Sequence, residues 1–145
     1  MHVLLINGSP HEKGCTYTAL SLVAGELNAA GITTEILNVG TKPVGGCIGC
    51  GGCAKGNGCV FGGVVNEAIE KARTADAFVF GTPVHYASAS GNMTSFLDRL
   101  AYAGGKYLAY KPAAICCSAR RAGTTTTLDQ LVKYPQFFHM PLVNG

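Results

Sequence analysis

The sequence predicts an α/β fold in which helices cover both faces of a doubly wound, five-stranded parallel sheet. Short apolar runs such as VLLI and AFVF are typical of strands buried on both faces. Segments with apolar residues at helical spacing separate these runs. The two kinds of segment alternate along all 145 residues. Strict alternation of this kind indicates a parallel sheet joined by crossover helices.

The first half of the chain contains two predicted strands, one helix and an unusual loop. HVLLI, residues 2–6, predicts the first strand, and the polar turn NGSPHEKGCT follows it. Residues 16–31 predict a helix with apolar side chains every three or four positions, and Gly31 suits its C-terminus. Residues 33–39 predict the second strand. Residues 45–63, the cysteine loop, contain nine glycines and four cysteines, so a ligand or the protein body must fix their shape.

The second half continues the alternation. Its predicted elements are a helix over 64–76, a strand over 77–83, a helix over 90–105, a strand over 111–118, a helix over 123–134, and a fifth strand beginning in MPLVNG, residues 140–145. We expect Gly-Thr-Pro to stop the strand at residue 83 and Pro135 to close the last helix.

Composition excludes several classes of protein. The chain is 48% hydrophobic and 13% charged, which indicates extensive burial or an oligomer interface. A net charge of +3, with no basic cluster beyond Arg120 and Arg121, gives little support to nucleic-acid binding. The apolar runs are too short to cross a bilayer, and the N-terminus does not resemble a signal peptide. We therefore expect a cytoplasmic protein without a membrane partner, where a reducing environment disfavours disulfides.

Ligands of doubly wound sheets bind beyond the carboxyl ends of the strands. The first polar segment at that edge, NGSPHEKGCTYT, places Ser9, Thr16, Tyr17 and Thr18 at a helix N-terminus. Free amides and the helix dipole there favour a phosphate. The alternative is simple N-capping by serine or threonine. The segment has neither a P-loop nor a dinucleotide-binding glycine motif.

Two further segments leave the same edge. GTPVHYASASGN contains Pro83, His85 and Tyr86, which could flank a planar cofactor, although a partly buried structural tyrosine is the alternative. SARRAGTTTT offers Arg120, Arg121 and a run of threonines at a helix start, which suits an anion or carbonyl oxygens. Its alternative is a capped helix with solvated arginines. The three segments converge on one edge of one sheet.

Three longer segments, GSPHEKGCTYTAL, GTPVHYASASGNMTSFLDR and KPAAICCSARRAGTTTTLDQL, resemble the cofactor loops of the NADPH-dependent FMN reductases, which have a flavodoxin-like fold. The middle segment carries the most specific motif. The compact cysteine motif resembles the iron–sulfur flavoprotein subgroup. The resemblance spans nearly the whole chain and implies a sheet of order 2-1-3-4-5 and one FMN-binding domain over 1–145. Members of the family continue with a further loop and a final helix, which this sequence does not contain.

The resemblance implies that FMN is the cofactor. It assigns the phosphate to Ser9, His11, Thr16, Tyr17 and Thr18. It assigns one side of the isoalloxazine to Pro83, Val84, His85 and Tyr86, and the other side to Ser118, Ala119, Arg120, Gly123 and Thr124. The flavin carries the hydride chemistry, so no catalytic side chain is assigned.

The resemblance also implies an enzyme. NAD(P)H or reduced ferredoxin would reduce FMN, which would pass electrons to a redox partner or small acceptor. A homodimer or homotetramer is implied as well. The alternative is a non-enzymatic flavin electron carrier or redox sensor with free thiols in the cysteine loop.

The motif CIGCGGCAKGNGC places Cys47, Cys50, Cys53 and Cys59 at spacings of C-x2-C-x2-C-x5-C. A glycine-rich loop of this spacing favours an iron–sulfur cluster of the 4Fe-4S type. Free or redox-active thiols are the main alternative. Zinc fits less well, because it favours two C-x2-C pairs about a dozen or more residues apart. The position of the cysteine loop after the second strand predicts that the loop lies at the cofactor edge of the sheet.

Two other pairs of residues lie outside these assignments. Cys116 and Cys117 fall in the middle of a predicted strand and are expected to be small core residues. Asp98 and Arg99 are expected to form a solvated or interface pair on the third helix.

Overall fold

A computed structural model describes residues 1–143. Its strands are β1 (His2–Asn7), β2 (Thr33–Asn38), β3 (Ala77–His85), β4 (Ser88–Ala89) and β5 (Ala113–Ser118). Its α-helices are α1 (Cys15–Ala29), α2 (Val64–Thr74), α3 (Gly91–Gly104) and α4 (Thr124–Phe137). Short 3₁₀ turns cover Gly52–Lys55 and Gly105–Tyr107. The predicted alternation of strands and helices is confirmed.

The parallel strands lie in the order β2-β1-β3-β5. On the outer edge of β5, Leu142 forms a parallel bridge with Ala113. This bridge is where the predicted fifth strand begins, and residues 144–145 of that strand lie outside the described residues. The predicted doubly wound order is therefore confirmed, with the outermost strand represented by one bridge.

The strand β3 is longer than predicted. It continues through the Gly-Thr-Pro segment to His85, whereas the sequence analysis ended it at residue 83. Strand β1 pairs with β3 only as far as Gly81. Pro83 lies beyond that point and is tolerated, because its missing N–H removes no backbone hydrogen bond to β1. Beyond Pro83 the chain makes a hairpin, in which β4 pairs antiparallel with the end of β3. This hairpin was not predicted from the sequence.

The helix α4 also exceeds its predicted end. Pro135 lies inside the last turn rather than closing the helix, which ends at Phe137. The Pro135 ring is buried, and its carbonyl accepts hydrogen bonds from the amides of Phe138 and Met140. Burial of the ring and this terminal turn compensate for the single helical bond that proline cannot make.

The sheet separates two cores. The larger core lies beneath α2, α3 and α4, and its largest side chains include Phe78, Phe80 and Phe96. The smaller core lies beneath α1 and contains Leu5, Leu20 and their neighbours. Helices on both faces leave the carboxyl ends of β1, β3 and β5 as the common edge from which polar loops emerge.

Candidate functional site

The three predicted cofactor loops meet at the carboxyl edge of the sheet. The hydroxyls of Thr16 and Ser118 lie 2.8 Å apart and join the first loop to the third. The hydroxyl of Thr126 donates to the carbonyl of Ala87 at 2.7 Å and joins the third loop to the second. Contacts between residues 102 and 39 positions apart in sequence therefore fix one continuous site.

Asn7 and Ser9 shape the first loop. Asn7 is fully buried at the end of β1, and its side-chain oxygen accepts from the Ser9 amide at 3.1 Å. Its amide group donates to the Asn38 side chain at 2.8 Å. The Ser9 hydroxyl accepts from the His11 amide at 3.1 Å. Asn7 was not among the predicted site residues, although a polar residue ending a fully apolar strand was the available signal.

The helices that start at this edge differ in their caps. Gly14 precedes α1 and Gly123 precedes α4, and neither helix has a side-chain cap or an acidic residue in its first turn. By contrast, Ser90 caps α3 by accepting from the Met93 amide. Capping by serine or threonine, the alternative for the first loop, is therefore wrong for α1. Two helix N-termini present free amides, an arrangement that favours an anionic ligand.

A cleft of about 570 Å³, the cofactor cleft, opens between the second and third loops. It is lined by Val84, His85, Tyr86, Ala87, Arg120, Arg121 and Ala122. Tyr86 and Ala87 have φ values of 50° and 60° and form the two-residue turn between β3 and β4. Positive φ at both positions is the geometry of a type I′ hairpin, and it strains residues other than glycine. Tyr86 is fully exposed, so the alternative of a partly buried structural tyrosine is wrong.

The structure brings most of the predicted flavin residues to this region. Val84, His85, Tyr86 and Arg120 line the cleft itself. Pro83 and Ser118 lie beside it as paired residues of β3 and β5. Of the remaining third-loop residues, Ala119 directly follows β5, and Gly123 and Thr124 lie at the start of α4. Phosphate-loop residues surround the N-terminus of α1: Ser9 and Thr16 are buried, Tyr17 is half-buried, and His11 and Thr18 are exposed.

A second cavity of about 220 Å³, the cysteine pocket, is lined by all four cysteines of the loop. Its other walls are Ile48, Gly49, Gly51, Val60, Phe61, Arg99, Tyr102 and Ala103. All seven cysteines of the chain are free thiols. Within residues 1–143, no three cysteine, histidine or acidic side chains converge closely enough to hold a metal ion. The four thiols are nevertheless ligands of the kind that hold an iron–sulfur cluster, and the arginine and apolar walls around them suit an anionic cluster.

Asn66 of α2 holds the backbone of the cysteine loop, and Asn92 of α3 holds residues 40–44, which lead into it. The side chain of Asn66 accepts from the Cys59 amide at 2.8 Å and donates to its carbonyl at 3.0 Å. The side chain of Asn92 accepts from the Val44 amide at 3.1 Å and donates to two carbonyls of residues 40 and 42. The sequence predicts that a ligand or the protein body must fix this loop, and these contacts are made by the protein body.

The prediction for Arg99 is wrong. Its side chain is buried with 6% exposure, because the guanidinium points into the loop. Its Nε donates to the Cys59 Sγ at 3.2 Å, and its Nη1 and Nη2 donate to the carbonyls of Gly45 and Gly62 at 3.3 and 3.0 Å. Asp98 instead accepts a 2.6 Å hydrogen bond from Tyr134. Burial, together with this carboxylate, raises the pKa of the Tyr134 hydroxyl.

Cys116 and Cys117 are half-buried in β5. Burial, reinforced by the neighbouring Cys117, raises the pKa of the Cys116 thiol to about 11. Burial also raises the pKa of Cys117. Cys116 packs against the smaller core, as predicted for a small packed side chain, whereas half-buried Cys117 belongs to neither core.

The two cavities share no lining residue. The cysteine pocket lies against the second half of α3 rather than at the cofactor edge, where the loop was predicted to lie. Ser90 at the start of α3 donates to the Gly8 carbonyl of the first loop at 2.8 Å. Arg99, nine residues further on, contacts Cys59. At 1.5 Å per residue, about 13 Å of helix separates the two contacts.

Comparison with known proteins identifies the family. The sequence model described as NADPH-dependent FMN reductase matches residues 1–145. The chain belongs to this family. One curated relative is an iron–sulfur flavoprotein of Archaeoglobus fulgidus, which is 33% identical over 99 residues. The aligned residues make up 68% of this chain and 48% of the relative. An iron–sulfur flavoprotein of Methanocaldococcus jannaschii is 30% identical over 99 residues, 68% of this chain and 51% of the relative. The FMN reductase-family chain thus spans about half the length of these relatives.

Solved structures share the fold of this FMN reductase-family chain. An NADH:FMN oxidoreductase in its apo form matches with a TM-score of 0.74 at 19% identity, covering 99% of this chain and 72% of that protein. An NAD(P)H:quinone oxidoreductase from Methanothermobacter marburgensis matches with a TM-score of 0.74 at 18% identity, covering 99% and 84%. In the described part of this FMN reductase-family chain, no helix has the length and apolar character needed to span a bilayer.

Proposed function

We propose that this chain acts as a single FMN-binding domain of an oxidoreductase, in which NAD(P)H or reduced ferredoxin supplies electrons to FMN. The observation that carries the proposal is the pair of uncapped helices, α1 and α4, at one edge of the sheet. Their free amides lie on loops joined by the Thr16–Ser118 contact, and Arg120 and Arg121 add positive charge to the adjoining cleft. An anionic cofactor with a planar ring matches this arrangement.

The residues divide into two roles. The amides at the start of α1 would bind the phosphate, with Thr16, Thr18, His11 and Tyr17 around them, while buried Ser9 shapes the loop. Val84, His85 and Tyr86 would contact one side of the ring, beside Pro83. The third loop would border its other side, where Arg120 favours negative charge, through Ser118, Ala119, Arg120, Gly123 and Thr124. When bound, FMN accepts a hydride and releases single electrons.

We further propose that Cys47, Cys50, Cys53 and Cys59 hold an iron–sulfur cluster of the 4Fe-4S type. All four line one cavity beside a buried cation, and curated relatives are named iron–sulfur flavoproteins. Exposed Ile48, Val60 and Phe61 at the same loop favour contact with a redox partner or another subunit, as in a homodimer or homotetramer. A reducing compartment such as the cytoplasm would keep these thiols free of disulfides.

One observation favours a second function. The four sulfurs surround a cavity without converging on one point in the described residues. Free thiols of this kind suit a flavin electron carrier or a redox sensor. Such a protein would be reduced only by a protein donor and would show no steady turnover of NAD(P)H with small acceptors.

Anaerobic purification followed by visible spectroscopy and iron and sulfide analysis tests these proposals. We expect one bound FMN, about four irons per chain after reconstitution, and NAD(P)H-dependent reduction of the flavin band. Cys50→Ser should abolish iron retention and leave FMN bound, whereas Cys15→Ser, which alters an exposed thiol outside the loop, should change neither. Flavin without iron would refute the cluster, flavin that NAD(P)H does not reduce would leave the carrier or redox-sensor function, and a protein that binds no FMN would refute both functions.

A further inference from the structure

The buried guanidinium of Arg99 lacks a carboxylate partner among residues 1–143. Its partners are two backbone carbonyls, one sulfur and the ring of Phe61, whose centroid lies 5.4 Å from the guanidinium carbon. A buried cation is costly unless negative charge or a full set of acceptors compensates for lost water. The cysteine pocket therefore contains positive charge that its own side chains leave uncompensated.

The three donors of Arg99 reach both ends of the cysteine loop. Gly45 lies at the beginning of the loop and Gly62 near its end, and Cys59 lies between them. One planar guanidinium thus closes the loop at its base while directing Nε at a single sulfur. A lysine ammonium cannot form this fork, because its donors radiate from one nitrogen.

The four cysteines are not equivalent in this arrangement. Cys47 and Cys50 are exposed, whereas Cys59 is half-buried against the larger core, with its backbone held by Asn66 and its sulfur by Arg99. Residues 47–51 belong to no helix or strand. Binding of one cluster by all four sulfurs would therefore need the segment that carries Cys47 and Cys50 to move, while Cys59 is already held in place.

We propose that Arg99 is a positioning residue for the cysteine pocket, which fixes the position of the Cys59 sulfur and supplies positive charge for an anionic cluster. Only the second half of this inference rests on the proposed function. The first half concerns the metal-free protein and stands without any cluster. Charge-assisted hydrogen bonds to sulfur are among the protein's means of setting the potential of an iron–sulfur centre.

Thiol alkylation of the metal-free protein tests the first half. Iodoacetamide labelling with peptide mass spectrometry is followed over pH, so that each rate refers to the fully ionised thiolate, because a neighbouring guanidinium also favours ionisation. This limiting rate should be lower for half-buried Cys59 than for exposed Cys47 and Cys50. Arg99→Gln should raise the limiting Cys59 rate about tenfold, the effect of losing one hydrogen bond to a charged group, with little change at Cys47. Arg99→Lys should fall between Arg99→Gln and the wild type. Arg73→Gln, which removes an exposed cation on α2, is the control and should leave all rates unchanged.

Unchanged Cys59 labelling in folded Arg99→Gln would overturn the proposal, and wild-type labelling in Arg99→Lys would overturn the fork geometry. Reconstitution with ferrous iron and sulfide tests the second half. Removing the cation should make the midpoint potential of the bound centre more negative, and an equal potential in wild type and Arg99→Gln would refute the charge role. If the wild type takes up no iron, the proposed cluster fails while the labelling comparison still decides the role of Arg99.

Discussion

Gly123 links backbone strain to the cofactor cleft, and Gly123→Ala is the sharpest test of the site geometry. Gly123 has a φ of +98° and is the N-cap of α4. A Cβ at this position would lie 2.6 Å from the Ala87 Cα and 3.0 Å from the Val84 Cγ1. Because the Ala87 atom belongs to the backbone of the strained hairpin, the turn must move to accept a methyl group.

The expected loss of stability follows from the strained backbone at Gly123 and from the displacement of the hairpin. A residue other than glycine in such a backbone conformation costs about 1–3 kcal/mol, and displacement of the hairpin adds to that. We expect the free energy of unfolding to fall by at least about 2 kcal/mol and FMN affinity to fall at least about tenfold, or 1.4 kcal/mol. The matched control is Gly25→Ala in α1, where no atom lies within 4 Å of the added Cβ. That change should stabilise the protein by about 0.5–1 kcal/mol.

Urea unfolding and quenching of FMN fluorescence measure the two effects separately. Opposite signs for the two alanine variants would show that backbone geometry, rather than loss of glycine itself, sets the outcome. Equal stability and equal FMN affinity in Gly123→Ala and the wild type would refute the argument, because neither the strain nor the close approach would then be real.

Three further changes test other parts of the site. Ser90→Ala should lower the free energy of unfolding by about 2 kcal/mol in urea, since it removes the α3 cap and the bond to the Gly8 carbonyl; a loss below about 0.5 kcal/mol would contradict this. Arg120→Gln should weaken FMN binding about tenfold at unchanged stability, measured beside Arg73→Gln as control. Because the pKa of Cys116 is raised to about 11, its contribution to stability is complete below about pH 9 and lost as the pH rises towards 11. Cys116→Ala should flatten the dependence of unfolding free energy on pH in that window, and an unaltered slope would contradict the assignment.

The order of elements could be read from the sequence because the pattern is strong. Buried parallel strands are short apolar runs, and the intervening helices carry apolar residues at helical spacing. The wrong predictions for the end of β3 and the end of α4 both occur at a proline. Pro83 and Pro135 were treated as stops, yet each lies where the missing N–H is of small consequence: beyond the end of β1 pairing, and in the final turn of a helix. Local sequence does not reveal where a neighbouring strand ends.

The polar contacts that build the site were harder to predict. The positions of Tyr86 and Arg120 follow from loops adjoining the strands, whereas the glycine N-caps of α1 and α4 were not predicted. Arg99, by contrast, looked like one exposed half of an Asp–Arg pair, because helical periodicity gives the direction of a side chain but not what a distant loop places over it. Its partners, Gly45 and Cys59, are 54 and 40 positions away. Such contacts depend on tertiary placement that no window of sequence contains.

The helix α3 contacts the cofactor loop at Ser90 and the cysteine loop at Arg99, and it therefore acts as a fixed spacer. Deleting one residue between these positions would turn Arg99 by about 100° around the helix axis and shorten the separation by about 1.5 Å. Side chains on the outer face of this segment can change freely, but its length cannot. Relatives that keep both loops in this arrangement should therefore show substitutions between these two positions and no insertions or deletions.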